Sequence, residues 1–281
     1  MTVRLPDDIQ ETVRRALAED VQTGDVTASL IPADRRAEAD VWSREKAVLC
    51  GTAWFDAVFL QLDPDTRIGW EHGDGDTIPP DTRLCTVRGK ARSLLTGERT
   101  ALNFLQLLSG TATTAREYSE RVSGTGCKIL DTRKTIPGLR SAQKYATRCG
   151  GAHNHRMGLF DGILIKENHI IAAGSIAAAV SKARKTNLPV EVEVENLAQV
   201  SEALNAGADS LLLDNFSHAD LGLAVALNQD TGSKAKLEAS GGLSLEEIGR
   251  VAATGVDYIS VGALTKHLRA IDLSMRFSFS G

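Results

Sequence analysis

The chain has 281 residues, of which 42% are hydrophobic and 24% charged, and its net charge is −4. This length and balance leave room for one large or two medium domains with a full core, and they exclude a mainly disordered chain. The negative balance also excludes a molecule-wide nucleic-acid surface, so any anion site must come from local clusters of Arg and Lys.

The opening stretch MTVRLPDDIQ has no apolar core of a secretory signal. The longest apolar stretch, IIAAGSIAAAV at 170–180, falls short of the ~20 residues that cross a bilayer. Cysteines stand at 50, 85, 127 and 149 without a CxxC pair. That spacing argues against a disulfide scaffold or a zinc site, and the expectation is a reduced, cytoplasmic protein.

In chain order, IQETVRRALAED reads as a helix within residues 1–20 and VQTGDVTASLIPADR as a polar loop. Short strand-like runs follow, AEADVWSR, KAVLCG, RIGWEHG and RLCTVRGKA, with one helix, AWFDAVFLQL, among them. The irregular mixture suggests an α+β module over 1–110. Residues 91–122 repeat apolar positions every three to four places and read as one or two long helices bridging this domain and the next.

The chain then becomes periodic. Strand-length apolar runs start at 127, 162, 189, 210, 235 and 257. After the first gap the intervals are about 20–27 residues and contain Ala-rich helical patterns, the signature of a parallel β/α array. Six units are too few for a closed eight-unit barrel, so the prediction is an open (β/α) barrel over 111–267. Residues 268–281 are expected to return to the N-terminal domain.

Polar residues stand where these runs end, as they do at the catalytic mouth of parallel barrels. The first group is basic: Arg133, Lys134 and Arg140, then His153, His155 and Arg156, then Lys166. Arg offers a planar fork to carboxylate or phosphate and Lys a compact charge, so this group points to a small polyanion. His153 suits a structural hydrogen bond, whereas His155, next to Arg156, suits contact with an anion. The second group is acidic. The alternation in PVEVEVEN puts Glu191, Glu193 and Glu195 on one strand face, with Asp214 ending the next run. Glu191 suits a structural role. Glu195 and Asp214 suit Mg²⁺ or ribose hydroxyls, the alternative being ion pairs with Lys166 or Arg133. The third group is glycine-rich: LEASGGLSLEE, read as strand, Ser-Gly-Gly turn and helix start, and ISVGALTKH with Gly262 and Lys266. Glycine turns leading into helices in the last two units suit a phosphate. Arg99, read at the start of an apolar helix, has no role in this pattern.

GERTALNFLQLLSG, DTRKTIPGLR, KYATRCGGAHNHRMGLFDGILIKENHI, VEVEN, LLLDN, LEASGG and ISVGALTKH, in this order, resemble the quinolinate phosphoribosyltransferase family over nearly the whole chain. The resemblance implies conversion of quinolinate and phosphoribosyl pyrophosphate to nicotinate mononucleotide, pyrophosphate and carbon dioxide in de novo NAD synthesis, with Mg²⁺. It implies an N-terminal α/β sandwich followed by an open (β/α) barrel, and a homodimer in which the partner's copy of the residue at position 99 completes the site. Arg99, Thr132, Arg133, His155 and Arg156 would then hold the pyridine carboxylates, and Lys134 and Lys166 the pyrophosphate and the boundary between substrates. Glu195 and Asp214 would hold ribose and Mg²⁺. Ser240, Gly241, Gly242, Val261, Gly262 and Ala263 would cradle the 5′-phosphate. Lys134, Lys166, Glu195 and Asp214 are the expected catalytic residues, and Lys266 stands where some members carry His. The alternatives are a related transferase acting on nicotinate or another acidic base, and a non-catalytic, phosphate-sensing barrel.

Overall fold

A computed structural model describes residues 3–279. The first elements are α1 (Ile9–Val21), β1 (Arg36–Ser43), β2 (Ala47–Val48), α2 (Thr52–Leu62), β3 (Arg67–Trp70), β4 (Thr77–Ile78), β5 (Thr82–Lys90) and α3 (Ala91–Arg121). Next come β6 (Lys128–Leu130), α4 (Arg140–Cys149), β7 (Ile163–Ile165), α5 (Glu167–Ala173), α6 (Ile176–Ala183), β8 (Val190–Val194) and α7 (Leu197–Asn205). The last are β9 (Ser210–Asp214), α8 (His218–Asp230), β10 (Lys236–Ser240), α9 (Ile248–Ala252), β11 (Tyr258–Ser260), α10 (Ala263–Lys266) and β12 (Leu273–Phe279).

The chain divides into two units. The first takes the described residues up to Arg116, the segment Thr135–Gly151 and the residues from Leu264 on. Its main sheet has the order β12-β1-β5-β3. Ala37, Ala39, Val41 and Ser43 alternate inward along β1 as the pleat requires. The C-terminal strand β12 pairs antiparallel with β1, Val41 opposite Met275. Trp54, Phe55 and Phe59 of α2 form the bulk of the core with Leu84 and Val87 of β5. In α3, Leu94, Ala101, Leu105, Leu108 and Ala112 form its buried stripe at helical spacing. A Cβ on Gly97 would stand 2.8 Å from Phe59 Cε1, so α3 approaches α2 this closely because the residue is glycine. Removing the Phe59 ring would cost about 3–5 kcal/mol through lost burial and the cavity left behind.

The second unit, Glu117–Lys134 and Ala152–Ala263, is a six-stranded sheet in the order β6-β11-β10-β9-β8-β7. All its pairings are parallel. The first strand therefore pairs with the last, and the opening of the barrel lies between β6 and β7. The Leu130–His153 bridge extends the β6 side of that opening: His153 N–H donates to Ile129 O at 2.8 Å, and Asp131 N–H to His153 O at 3.0 Å. The opening coincides with the long first gap of the repeat. The segment filling that gap, Thr135–Gly151 with α4, belongs to the first unit, which departs from the single continuous barrel domain expected over 111–267. Apolar periodicity could not show this, because the buried positions of α4 include Gln143, Lys144 and Thr147. Gln143 is spent locally, accepting from Ile136 N–H and donating to Thr265 O.

The stretch 170–180 is interrupted by Gly174 at φ 94, which ends α5 before α6 begins. Among the described residues no helix is long and apolar enough to cross a membrane. The four cysteines are free and buried.

Candidate active site

Because the six strands are parallel, their C-terminal ends share one rim, and the sequence-selected residues come together on it pair by pair. β6 is followed by Thr132, Arg133 and Lys134, and its neighbour β11 by Val261 and Gly262. A Cβ on Gly262 would lie 3.1 Å from Lys134 Cδ and 3.7 Å from Thr132 Oγ1, so the lysine stem passes directly over the glycine. Thr132 Oγ1 accepts the Lys134 N–H at 3.0 Å and holds that turn. On β9 and β10, Asn215 N–H donates to Ser240 O at 2.9 Å. Gly241 has φ +138, and a Cβ there would come within 2.8 Å of Asn215 Oδ1. Only glycine fits this junction comfortably. Asp214 Oδ2 accepts from Asn215 Nδ2 at 2.8 Å, which fixes the carboxylate plane.

The acidic strand differs from the sequence reading. β8 ends at Val194, so Glu195 stands beyond the strand, exposed, with its N–H donating to Gln199 Oε1 at 2.8 Å. Lys166 pairs with Glu193, Nζ to Oε2 at 2.5 Å, and not with Glu195 or Asp214. The strand's inner carboxylates thus have separate tasks: Glu193 meets the cation at the end of β7, Glu191 lies deeper, and Glu195 is left at the rim.

The loop after His153 is held by two aspartates. Asp131 is fully buried; its Oδ1 accepts the His155 N–H at 2.9 Å and its Oδ2 accepts from Asn154 Nδ2 at 2.6 Å. Asp161 accepts the N–H groups of Met157 and Gly158 at 2.7 and 2.9 Å. Arg156 donates through Nη1 to Gly162 O at 3.0 Å. Burial first, and then the charge of Arg133, push the Arg156 guanidinium below its ordinary value. Two cations therefore sit close enough to disfavour each other. Arg133 Nε is buried with no hydrogen-bond partner. An unpaired buried donor beside a second guanidinium is an arrangement that an anion would complete. Asp131 and Asp161 were missed as positioning residues. Asp131, an acid closing an apolar run just ahead of a basic cluster, carried the only usable signal.

Other expectations need correction. His155 does not present a free ring to an anion: Nδ1 accepts the Arg156 N–H at 2.7 Å, and Nε2 lies 2.9 Å from Glu191 Oε2. The helix after the Ser-Gly-Gly turn starts at Ile248, too far on for its N-terminus to act at Gly241 and Gly242. Val261 is buried and its N–H donates to Leu130 O at 2.9 Å, so it offers no backbone donor. That leaves Ser240, Gly241, Gly242, Gly262 and Ala263 around the two glycine turns. Arg99 lies well inside α3 rather than at its start, which removes the helix-terminus penalty attached to it. It is exposed and, with Arg15, Glu19, Asp20 and Asn103, lines a cavity of about 470 Å³ within the first unit. Lys266, on α10, also falls in the first unit.

Two family descriptions match the chain: the quinolinate phosphoribosyl transferase N-terminal domain over residues 25–109 and the C-terminal domain over 111–276. The chain is 42% identical to the nicotinate-nucleotide pyrophosphorylase [carboxylating] of Mycobacterium leprae, covering 96% of this chain and 97% of that protein. It is 39% identical to a probable enzyme of the same name from Bacillus subtilis, over 97% and 94% of the two chains. The solved nicotinate-nucleotide pyrophosphorylase of Francisella tularensis superposes with a TM-score of 0.94 at 49% identity, covering 98% of both chains.

Proposed function

We infer that this chain, which belongs to the quinolinate phosphoribosyltransferase family, converts quinolinate and phosphoribosyl pyrophosphate to nicotinate mononucleotide, pyrophosphate and carbon dioxide, a step of NAD biosynthesis. The observation that carries this reading is the pairing of Arg133 and Arg156 beside a buried, unpartnered guanidinium nitrogen. Two planar forks suit the two carboxylates of a pyridine dicarboxylate better than the single carboxylate of nicotinate.

In this reading Arg133 and Arg156 grip the carboxylates, with Lys166, held by Glu193, at the boundary between substrates. Ser240, Gly241, Gly242, Gly262 and Ala263 take the 5′-phosphate, and Lys134, lying over Gly262, takes the pyrophosphate. The ring nitrogen attacks the anomeric carbon as pyrophosphate departs. Glu195 and Asp214 offset the positive charge that develops on the ribose, and Lys134 offsets the negative charge on the leaving group. Glycosylation leaves the ring nitrogen cationic. That charge stabilises the electron pair left on the ring carbon when the 2-carboxylate leaves as carbon dioxide, and a proton then replaces it. No side-chain nucleophile is needed: the protein positions two anions and balances their charge.

Glu195, just beyond β8, and Asp214, at the end of the neighbouring β9, are hard oxygen donors, a set that fits Mg²⁺ shared with substrate phosphates. The ion would supply further charge stabilisation for the departing pyrophosphate. The proposed assembly is a cytoplasmic homodimer in which Arg99 reaches the partner's site.

The test uses quinolinate labelled in the 2-carboxylate. Labelled carbon dioxide and pyrophosphate should appear together and only with phosphoribosyl pyrophosphate present. Turnover of nicotinate without quinolinate would overturn the reading, as would binding of both substrates without pyrophosphate release. Glu195→Gln should move the Mg²⁺ dependence to higher concentration; an unchanged dependence and rate would remove Glu195 from the metal set.

A further inference from the structure

Inside the barrel, below the rim, three titratable side chains meet that the proposed reaction does not use. His155 Nε2 is 2.9 Å from Glu191 Oε2 and 3.5 Å from Glu238 Oε2. Glu191 comes from β8 and Glu238 from β10. Both are buried, Glu238 to 2% exposure, and Glu238 Oε1 is buried without a hydrogen-bond partner. The three line a cavity of about 460 Å³ together with Arg156 and with Lys128, Ser210 and Tyr258, which begin their strands, so the cavity runs from Arg156 toward the N-terminal ends of the strands.

One imidazole and two carboxylates within 4.8 Å of one another could hold either a divalent cation or a proton. The histidine tautomer separates the two. Nδ1 accepts the backbone N–H of Arg156 and so carries no proton. The proton of the neutral ring is therefore on Nε2, where it donates to Glu191. A metal on Nε2 would require the opposite tautomer, with Nδ1–H donating to its surroundings. The same hydrogen bond that orients the ring therefore disfavours a metal and leaves the proton.

We propose that Glu191 and Glu238 share one proton as a carboxyl–carboxylate pair that locks His155, and through it Arg156, in the geometry that receives quinolinate. Both glutamates are positioning residues, and this assignment rests on the role of Arg156 proposed above. The chain of contacts is short. Glu191 fixes the imidazole, the imidazole takes the Arg156 N–H, and the Arg156 guanidinium is tied to Gly162 O. Burial, and next the charge of Glu191, keep the Glu238 carboxyl protonated up to about pH 8. The other charged or titratable groups on this cavity are Lys128 on β6, Tyr258 on β11, and His153, Arg156 and Asp161 in the loop. Among them, Arg156 is attracted by the charge of Glu191, and Asp161 is turned to Met157 and Gly158. Ionising Glu238 places two anions against one neutral imidazole and should loosen the lock.

The experiment is a pH profile of the full-length enzyme with each substrate varied in turn. For the wild type, KM for quinolinate should rise severalfold from pH 7 to 9, while KM for phosphoribosyl pyrophosphate stays level. Glu238→Gln, permanently neutral, should lose that rise. At pH 7, Glu238→Ala should raise KM for quinolinate about tenfold with a smaller change in kcat, and Glu238→Gln should recover most of the loss. A profile of Glu238→Gln that superposes on the wild type would overturn the proposal, as would a glutamine variant as impaired as the alanine one. If Glu238→Ala fails to fold, the comparison of wild type with Glu238→Gln still decides. An infrared difference spectrum supplies a readout independent of turnover: a protonated-carboxyl band should vanish on raising the pH through 8 and be missing from Glu238→Gln. Its presence in an enzyme that does not consume quinolinate would reject the proposed reaction but keep the proton-sharing pair. Its absence in an active enzyme would reject the pair alone.

Discussion

Arg133→Met separates what the paired guanidinia do for binding from what they cost in the ligand-free protein. Arg133 disfavours the charge of Arg156, and its own Nε is buried without a partner. Two like charges on the order of 6 Å apart repel by about 3 kcal/mol at an effective dielectric constant of ~20. Both groups keep contact with water, and screening reduces this to about 1 kcal/mol. The orphaned donor adds about 1 kcal/mol or more. Methionine retains much of the stem's packing and removes both penalties, so the ligand-free protein should gain about 1–2 kcal/mol, or roughly 2–6 °C in Tm. The same change removes a charge-assisted fork to a carboxylate, about 2–4 kcal/mol, which corresponds to a fall of roughly 30- to 1,000-fold in kcat/KM for quinolinate. Thermal melts with and without quinolinate, beside steady-state kinetics, measure both. The wild type should gain Tm on adding quinolinate, and Arg133→Met should start higher and gain little. A variant with lowered Tm and an undiminished quinolinate shift would refute the reasoning, because Arg133 would then be a structural cation.

Arg99→Ala and Lys166→Ala should each be nearly inactive, and a subunit-exchanged mixture should recover about a quarter of wild-type activity. Half of the dimers are then hybrid, with one of two sites intact; no recovery despite demonstrated exchange would place Arg99 outside the partner's site. Gly241→Ala combines φ +138 with a Cβ 2.8 Å from Asn215 Oδ1. It should cost about 1–3 kcal/mol of stability and raise KM for phosphoribosyl pyrophosphate more than KM for quinolinate; equal effects on both would mean that Gly241 serves the fold alone. Glu238 also sets a pH dependence of stability. Its carboxyl ionises near 4.5 in the unfolded chain and only at about 8 in the folded one. Between these values the unfolded state binds fewer protons, so urea midpoints should fall as pH rises from about 5 to 8 and then level. Glu238→Gln should lack this contribution, and an identical slope in the variant would contradict the buried protonated carboxyl.

The barrel was legible because a parallel strand buried on both faces must be an apolar run, and the helix that crosses back must fill the interval. Runs such as SLLLD and the helical pattern LAQVSEALNAG carry that information locally. The rim was legible for the same reason, since polar residues tolerated next to such runs collect at the strand ends. Glu195 marks the limit of the reading: period-two alternation placed it on the strand with Glu191 and Glu193, but the pairing of β8 stops at Val194. Alternation gives the side a residue faces, and hydrogen-bond register decides where the strand ends. Segment 135–151 marks a second limit, because α4 buries Gln143, Lys144 and Thr147 alongside its apolar residues, and Gln143 and Thr147 are satisfied there by hydrogen bonds.

The sequence by itself determined the two-part architecture, the six-unit repeat and the set of cations and carboxylates at the strand ends, because each depends on residues close together in the chain. Only the tertiary structure decided which charges meet: Lys166 with Glu193, Arg133 beside Arg156, and His155 turned inward to Glu191 and Glu238. The physical reason is that electrostatic partnership falls off over a few ångströms and depends on burial, and neither separation in space nor burial follows from position along the chain.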